Sequence, residues 1–214
     1  MRSRPFPLVI AAPSGAGKTS LAHALVERDP GVCFSVSATT REPRVHETNG
    51  VDYEFVDDAE FDRMIAAGEL VEWAEVHGHR YGTPARGIAR AMASGKTVVL
   101  DIDIQGARSI RRAYPEAVLI FIVPPSGAEL VRRLTGRGTE AETERRRRLH
   151  NARVELHAAG EFDFVVVNDD FERAVAGLQA ILAAERKRYA RLVDPEAQLQ
   201  RIDREVADIE DRSQ

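Results

Sequence analysis

The stretch from Leu8 to Ser20 carries the residue types that bind the phosphates of a nucleoside triphosphate. It runs from an apolar strand through a glycine-containing loop into a Lys-Thr pair and a helix. Gly15 and Gly17 lack a Cβ, so the backbone N–H groups around them can close on phosphate oxygens. Lys18 can reach the β- and γ-phosphates, and the Thr19 hydroxyl can bind Mg²⁺. The predicted phosphate-binding residues are Ser14, Gly15, Ala16, Gly17, Lys18, Thr19 and Ser20.

One position of this loop departs from the general phosphate-loop pattern. That pattern opens with glycine, and here the position is Ala12. A methyl group fits there as long as the backbone keeps a negative φ. The alternative is a strand, turn and helix with chance glycines, and the motifs elsewhere in the chain decide between the two.

A second anion site is predicted where two arginines lie three residues apart. Arg41 and Arg44 flank Pro43, and two planar guanidinium groups that converge on one point bind a monophosphate well. This stretch therefore predicts a second site for a phosphorylated ligand.

Composition limits the classes of partner. The 214 residues are 43% hydrophobic and 30% charged, with a net charge of −4, which predicts one compact domain with inserted lobes and argues against a general nucleic-acid binder. The longest apolar runs are too short to cross a bilayer, so no membrane partner is expected. Cys33 cannot form an internal disulfide and reads as a buried apolar residue, which suits the cytoplasm. No signal peptide is recognisable at the start of the sequence.

Four apolar runs predict the strands that position these residues. They are Leu8 to Ala12, Thr97 to Ile102, Val118 to Val123 and Phe164 to Val167. Their continuous apolar character, with helical stretches between them, indicates a parallel sheet covered on both faces. We therefore expect an α/β, three-layer fold of the P-loop NTPase class, with an inserted acceptor lobe and a helical lid.

The predicted division of the chain follows these elements. Residues 1–30, 95–124 and 161–190 form the core, 31–94 the acceptor lobe, 125–160 the lid and 191–214 a charged helical tail. Glycines on both sides of Arg137 predict hinges for the lid. The tail is expected to be solvated or to contact a partner, a second copy of the chain being one candidate.

Spaced motifs along most of the chain give a resemblance to a known family. The chain resembles bacterial-type guanylate kinases from about Leu8 to Lys187. The motifs that carry the resemblance are Ser14 to Thr19, Phe34 to Arg44, Gly50 to Tyr53, Glu72 to Glu75, Tyr81 to Thr83, Leu100 to Gly106, Gly136 to Gly138 and Val167 to Asp170. The family often has a second tyrosine where this chain has Arg80, and a polar residue where it has Ala38.

The resemblance implies ATP as phosphoryl donor, GMP as acceptor, and a role for each matching residue. The implied GMP-binding residues are Ser37, Arg41, Arg44, Tyr53, Glu72, Tyr81, Thr83 and Asp103. The implied catalytic residues are Lys18, Arg41, Arg137 and Arg148, with Asn168 near the adenine. Thr19, together with Asp101 through water, is expected to hold Mg²⁺.

The chemistry of guanine supports this interpretation of the residues. N1–H and the N2 amino group are adjacent donors that one carboxylate, Glu72, can accept together, and the hydroxyls of Ser37 and Thr83 can donate to O6. The edge of adenine would leave these groups unpaired. No residue so identified reads the 2′-hydroxyl, so dGMP is expected as an acceptor too. The GMP phosphate is itself the nucleophile, so the protein has to align the reactants and neutralise charge.

Other interpretations remain open at this point. Glu72 alone reads as a surface carboxylate, Asp101 and Asp103 as strand ends, and the tyrosines as core aromatics. One rival function is an inactive guanylate-kinase-like module that binds phosphopeptides, which would be expected to lack parts of the loop or the lid arginines. Another is a kinase of the same scaffold for a different phosphorylated acceptor, against which Ser37, Glu72 and Thr83 argue.

Overall fold

A computed structural model of the chain describes residues 2–76, 78–135 and 142–212. The described residues form nine strands and eight α-helices. The strands are β1 (Pro7–Ala11), β2 (Val32–Phe34), β3 (Ser37–Thr39), β4 (Tyr53–Phe55), β5 (Leu70–Val76), β6 (His79–Pro84), β7 (Thr97–Asp101), β8 (Val118–Val123) and β9 (Phe164–Val167). The helices are α1 (Lys18–Arg28), α2 (Asp58–Ala66), α3 (Ala85–Ala93), α4 (Ile104–Ala113), α5 (Gly127–Thr135), α6 (Glu142–Leu156), α7 (Phe171–Glu185) and α8 (Pro195–Arg212).

The core is a five-stranded parallel sheet in the order β2-β7-β1-β8-β9. All five residues of the central strand β1 are buried, because helices cover both faces of a parallel sheet. The predicted α/β fold with a parallel core sheet is confirmed. The predicted runs that begin at Val118 and Phe164 match β8 and β9, and the other two end one residue later than β1 and β7.

The stretch from Cys33 to Ala38 contains two short strands that belong to different sheets. β2 joins the core beside β7, whereas β3 lies in a four-stranded sheet of order β4-β3-β6-β5. Cys33, predicted to be buried, is half-buried in β2. The second sheet covers a small core of Ala38, Phe61 and Met64. It is the part of the segment 31–94 that reaches over the end of the core sheet, while α3 packs on the core through Ile88.

Helix α2 begins and ends with residues that suit a helix boundary. The Asp57 side chain accepts a hydrogen bond from the Glu60 N–H at 2.7 Å, which satisfies one of the free donors of the first turn. Gly68 follows α2 with a φ of 65°, a conformation that stops a helix readily when the residue has no Cβ.

Two helices, α5 and α6, form the segment predicted as the lid. The Ser126 hydroxyl accepts from the Glu129 N–H at 3.1 Å, which satisfies a free donor of the first turn of α5. The two helices pack through apolar residues, which are Leu130, Leu134, Leu149, Ala152 and Leu156. α6 ends at Leu156, and a short 3-10 helix, His157–Glu161, follows it. The hinge glycines and Arg137 lie outside the described residues.

The segment before β1 pairs with the chain just ahead of α8. Ser3 forms an antiparallel bridge with Leu192, and the Val193 N–H donates to the Arg2 carbonyl at 2.9 Å. α8 then extends with an exposed stripe of Leu199, Ile202, Val206 and Ile209, each between 45% and 64% exposed. In the part of the chain that the structure describes, no helix combines the length and apolar character that a membrane span requires.

Candidate active site

The predicted phosphate loop connects β1 to α1. Gly15 and Gly17 have φ angles of 84° and 88°, which L-residues with a Cβ rarely adopt. Ala12 meets the condition for a methyl group in the loop: its φ is negative, since Asp194 is the one non-glycine residue with positive φ among those described. The loop borders a cavity of about 330 Å³. Its lining residues are Ala12, Pro13, Ser14, Gly15, Ala16, Gly17, Lys18, Thr19, Ser20, Asp103 and Glu155.

Asn168 fixes the middle of this loop. Its Nδ2 atom donates to the Ala16 carbonyl at 2.8 Å, and the side chain is buried. A Cβ added to Gly17 would lie 2.4 Å from the same Nδ2 atom. Asn168 was predicted to lie near the adenine of ATP, and its contact in the structure is with the loop backbone.

Lys18 lies at the start of α1 and faces the end of β7. Its Nζ donates to the Ile102 carbonyl at 3.0 Å and forms an ion pair with the Asp101 carboxylate. Both side chains are about one-fifth exposed, at 22% and 19%. The loop cation and the predicted metal-associated carboxylate are therefore in direct contact.

Asp103 begins α4. Its Oδ1 accepts from the Gly106 N–H at 2.7 Å, which makes it the N-cap of the helix. Capping uses one carboxylate oxygen, and the residue also lines both cavities of the site. Asp103 can therefore cap α4 and also take part in the site.

Glu72 and Thr83 face each other across the β5–β6 pair. The Thr83 hydroxyl donates to Glu72 Oε1; from the sequence it was expected to donate to a guanine oxygen. Thr83 is buried. Burial raises the pKa of Glu72, with a further rise from nearby Asp103, while Thr83 and Lys18 act in the opposite direction. An acceptor carboxylate whose orientation is held by a hydroxyl suits a ligand that offers two adjacent N–H donors.

A second cavity, of about 260 Å³, lies between the four-stranded sheet and the end of β7. Its lining residues are Lys18, Ser37, Tyr53, Glu72, Ala74, Tyr81, Gly82, Asp101, Ile102 and Asp103. The two cavities share Lys18 and Asp103. Most of the residues predicted to bind the acceptor are therefore brought together next to the phosphate loop.

The two arginines predicted to bind the acceptor phosphate differ in their surroundings. Arg41 donates from Nη2 to Glu47 Oε1 at 2.9 Å, and its guanidinium lies 5.5 Å from the Tyr53 ring centroid. Arg44 is exposed, and its backbone N–H donates to Glu47 Oε2 at 2.8 Å. The rings of Tyr53 and Tyr81 meet edge to face at 6.0 Å. Arg41 and both tyrosines form one cluster, with Arg44 at its rim.

Arg148 reaches the phosphate loop from α6. Its Nη1 donates to the Leu134 carbonyl at 3.3 Å, and its Nη2 lies 3.5 Å from the Ser14 hydroxyl. Thus one of the two predicted lid arginines lies beside the loop that connects β1 to α1. Arg137 falls outside the described residues.

The sequence did not point to three further residues at the site. Glu47 holds Arg41, Glu155 accepts from the Ser14 N–H at 3.2 Å, and Arg133 donates from Nη2 to the Asn168 carbonyl at 3.0 Å. For Glu155, the available signal was its position seven residues after Arg148, on the same face of a helix.

Arg80 does not point into the acceptor cavity. Its guanidinium forms ion pairs with Asp58 and Asp62 on α2, and it lies 4.8 Å from the Phe61 ring centroid. This departure from the family pattern therefore joins β6 to α2. Its charge is directed at two carboxylates of that helix and away from the cavity.

Hard oxygen ligands for a cation are present beside the loop. Thr19 lines the loop cavity, and Asp101 lies across from it beside Lys18. The described residues contain no group of three or more His, Cys, Asp or Glu side chains that could enclose a metal ion. The Thr19 hydroxyl and the Asp101 carboxylate are ligand types that fit Mg²⁺, which keeps several waters and is bound through one or two protein oxygens together with substrate phosphates.

Comparison with known proteins agrees with this geometry. The family model described as guanylate kinase matches residues 4–185. The chain is 50% identical to a guanylate kinase of Myxococcus xanthus over 186 residues, which cover 86% of this chain and 89% of that protein. It is 52% identical to a guanylate kinase of Thermobifida fusca over 176 residues, covering 82% and 90% of the two chains.

A solved structure gives the same result at the level of the fold. The crystal structure of guanylate kinase from Anaplasma phagocytophilum superposes with a TM-score of 0.74 at 35% identity. The superposition covers 94% of this chain and 96% of that one. The sequence match, the fold and the two adjoining cavities agree, and the chain belongs to the guanylate kinase family.

Proposed function

We propose that the two cavities hold the two substrates of a phosphoryl transfer and that the residues between them carry it out. The chain is an ATP:GMP phosphotransferase, which converts ATP and GMP to ADP and GDP. The observation that supports the assignment of the two sites is that Lys18 and Asp103 line both cavities. An acceptor phosphate in one cavity would then meet a donor phosphate in the other without crossing solvent.

The phosphate loop is assigned to ATP. Loop N–H groups from Ser14 to Ser20 and the positive end of α1 stabilise the negative phosphates. Lys18 neutralises the bridging and terminal oxygens. Arg148 and Arg137 are assigned to the transferring phosphoryl group, where added positive charge stabilises the transition state most. Asn168 is assigned to the adenine end of the donor, a role supported by its place against the loop.

The smaller cavity is assigned to GMP. Glu72 accepts from N1–H and the N2 amino group, while Ser37 and Asp103 complete the surroundings of the base. Thr83 is assigned to the same set, and its contact with Glu72 supports a role in orienting that carboxylate. Arg41, Arg44, Tyr53 and Tyr81 are assigned to the phosphate, an assignment supported by the cluster around Arg41.

Mg²⁺ is proposed as the metal cofactor, held by Thr19 directly and by Asp101 through water. When bound, it neutralises charge on the phosphate oxygens. The ion pair of Asp101 with Lys18 supports this assignment, because it fixes the carboxylate at the edge of the loop.

Particular residues of the chain argue against the two rival functions. A phosphopeptide-binding module has no need of the lysine, threonine and lid arginine that this chain retains as Lys18, Thr19 and Arg148. A kinase for a different acceptor has no need of the Glu72–Thr83 pair at the base position.

The division of the chain and its context complete the proposal. We assign 1–30, 95–124 and 161–190 to the core, 31–94 to the acceptor lobe, 125–160 to the lid and 191–214 to the tail. The exposed stripe of α8 supports self-association of two copies, which sedimentation of the protein and of its Ile202→Glu variant would test. The single cysteine supports a place in the cytoplasm, and the net charge supports nucleotides, and neither nucleic acid nor membranes, as partners.

An assay of acceptor use tests the proposed function. ADP release from ATP is measured with GMP, dGMP, AMP, CMP and UMP as acceptors. GMP and dGMP should support turnover, with discrimination against AMP on the order of 10⁴ in kcat/KM. Equal use of all five acceptors would contradict the assignment of Glu72 to the base.

A further inference from the structure

We propose that Glu155 is a positioning residue of the lid that competes with the donor phosphates for the Ser14 N–H, so that ATP binding displaces its carboxylate from the loop. The inference rests on the proposed function, since it takes the Leu8 to Ser20 stretch as the ATP site. The proposal adds to that function a residue on α6 that opposes ATP binding. It also links ATP binding to the position of Arg148.

Two residues of α6 converge on Ser14. Glu155 Oε2 accepts from the Ser14 N–H at 3.2 Å, and Arg148 Nη2 lies 3.5 Å from the Ser14 hydroxyl. They are seven residues apart, which is close to two helical turns, so both project from the same face of α6. One helix face thus presents an anion and a cation to the same loop residue.

The packing of α6 against α5 determines where Glu155 contacts the loop. Its helix neighbours Ala152 and Leu156 belong to the apolar cluster that joins α6 to α5, and Ala152 is fully buried. The carboxylate therefore reaches Ser14 from a backbone that is held in place. Moving it away from the loop requires either a change of its rotamer or a shift of α6.

The charges explain why the donor and Glu155 compete. Glu155 lines the loop cavity together with Lys18 and Asp103, and its pKa is raised by burial, with a further rise from Asp103. A phosphate oxygen accepts hydrogen bonds from the same N–H donors as the Glu155 carboxylate, and the two negative charges repel each other. A shift of α6 that withdraws Glu155 also moves Arg148, because one rigid helix carries both. By this second route, donor binding also repositions the lid arginine, whereas a change of the Glu155 rotamer alone leaves Arg148 in place.

The variant Glu155→Gln keeps the size of the side chain and removes its charge. We expect the Kd for ATP and for inorganic tripolyphosphate to fall about fivefold, the upper range for one half-exposed charge pair. The Kd for GMP should not change. Isothermal titration calorimetry with each ligand alone gives these values. Glu155→Ser should show the same tightening, and thermal unfolding verifies that both variants are folded.

Three results would overturn the proposal. The first is an unchanged Kd for ATP. The second is a higher Kd with and without Mg²⁺. The third is a Kd that rises only in the presence of Mg²⁺, which would make Glu155 part of the cation site. Glu196→Gln on exposed α8 makes the same charge change far from the loop and should leave the ATP Kd as it is. Lys18→Met distinguishes failure of the Glu155 proposal from failure of the proposed function. If this variant binds ATP as tightly as the wild type, the assignment of the loop to ATP is wrong, whatever the result for Glu155.

Discussion

The Asn168 side chain occupies the space that a Cβ on Gly17 would enter. Its Nδ2 atom lies 2.4 Å from that Cβ position and donates at 2.8 Å to the Ala16 carbonyl. Two elements far apart in sequence, the phosphate loop and the turn after β9, therefore determine each other's position. Glycine is required at residue 17 for this close approach as well as for its positive φ.

Gly17→Ala should weaken ATP binding at least about tenfold, since strain at positive φ and the contact with Asn168 each cost on the order of 1 kcal/mol or more. Titration calorimetry with ATP measures the change. Gly95→Ala is the matched control, because Gly95 has a φ of 80° with no atom within 4 Å of the added Cβ. If both variants bind ATP equally well, the Asn168 contact does not shape the loop.

Lys18→Met should reduce turnover at least about a hundredfold, because a cation aimed at the developing charge is lost. The fold should survive, since Lys18 is partly exposed and its partner Asp101 lies at the end of a strand. Steady-state kinetics and a circular dichroism melt measure the two effects. Turnover close to that of the wild type would refute the role assigned to the loop lysine.

Glu72→Gln should lower kcat/KM for GMP about a hundredfold or more, because a charge-assisted pair of hydrogen bonds to the guanine edge is lost. ATP binding should stay within about twofold of the wild type, because Glu72 lines the acceptor cavity and not the loop cavity. Calorimetry with each nucleotide separates the two. Equal losses on both sides would contradict the base-reading role.

The raised pKa of Glu72 adds a stability signature to the same variant. A carboxyl whose pKa is raised on folding stabilises the protein when it is protonated, and this contribution is lost as the pH rises through the raised pKa. Glu72→Gln should therefore unfold at a higher temperature than the wild type at pH 8, with the difference shrinking toward pH 4. Thermal melts across this range measure it, and a lower melting temperature at pH 8 would contradict the desolvation of Glu72.

Gly106→Ala tests the back wall of the acceptor site. The added Cβ would lie 3.1 Å from Glu72 Oε2 and 3.2 Å from Ile102 Cβ, so the carboxylate has to move. We expect KM for GMP to rise about fivefold, equivalent to about 1 kcal/mol. Gly177→Ala is the control, a helical glycine whose added Cβ makes only a 3.8 Å contact. An unchanged KM in Gly106→Ala would show that Glu72 can move there without loss.

Arg80→Tyr restores the residue that the family often carries at this position. The ion pairs with Asp58 and Asp62 would be lost, while a ring can still contact Phe61. We expect a lower midpoint of urea unfolding and a KM for GMP within about twofold of the wild type, because Arg80 points away from the cavity. A large fall in KM would show that the arginine charge reaches the acceptor after all.

Local signals in the sequence were sufficient for the core of the fold. Continuous apolar runs marked β8 and β9. The turn between β2 and β3 was not visible, because only tertiary pairing assigns the two ends of the stretch from Cys33 to Ala38 to different sheets.

The site was predictable where residue type determines chemistry and less so where a partner determines it. The loop glycines, Lys18, Glu72 and Thr83 were identified from the chemistry of their ligands, whereas the hydrogen bond of Thr83 to Glu72 was not expected. Glu47 and Glu155 could not be identified in this way. Glu47 contacts Arg41 and Glu155 contacts Ser14, and both contacts depend on how the chain packs. Arg80 likewise met carboxylates on α2 that the sequence alone could not place beside it.

The order of strands in the core sheet bears on how the chain folds during synthesis. β1 has β7 and β8 as its neighbours, and these follow it by about ninety and more than one hundred residues. Long loops must close before such non-local pairs form, which slows folding. Until residues 97–101 have been translated, a nascent chain exposes an apolar central strand with neither neighbour available, and such a segment is prone to aggregation and in need of chaperone protection.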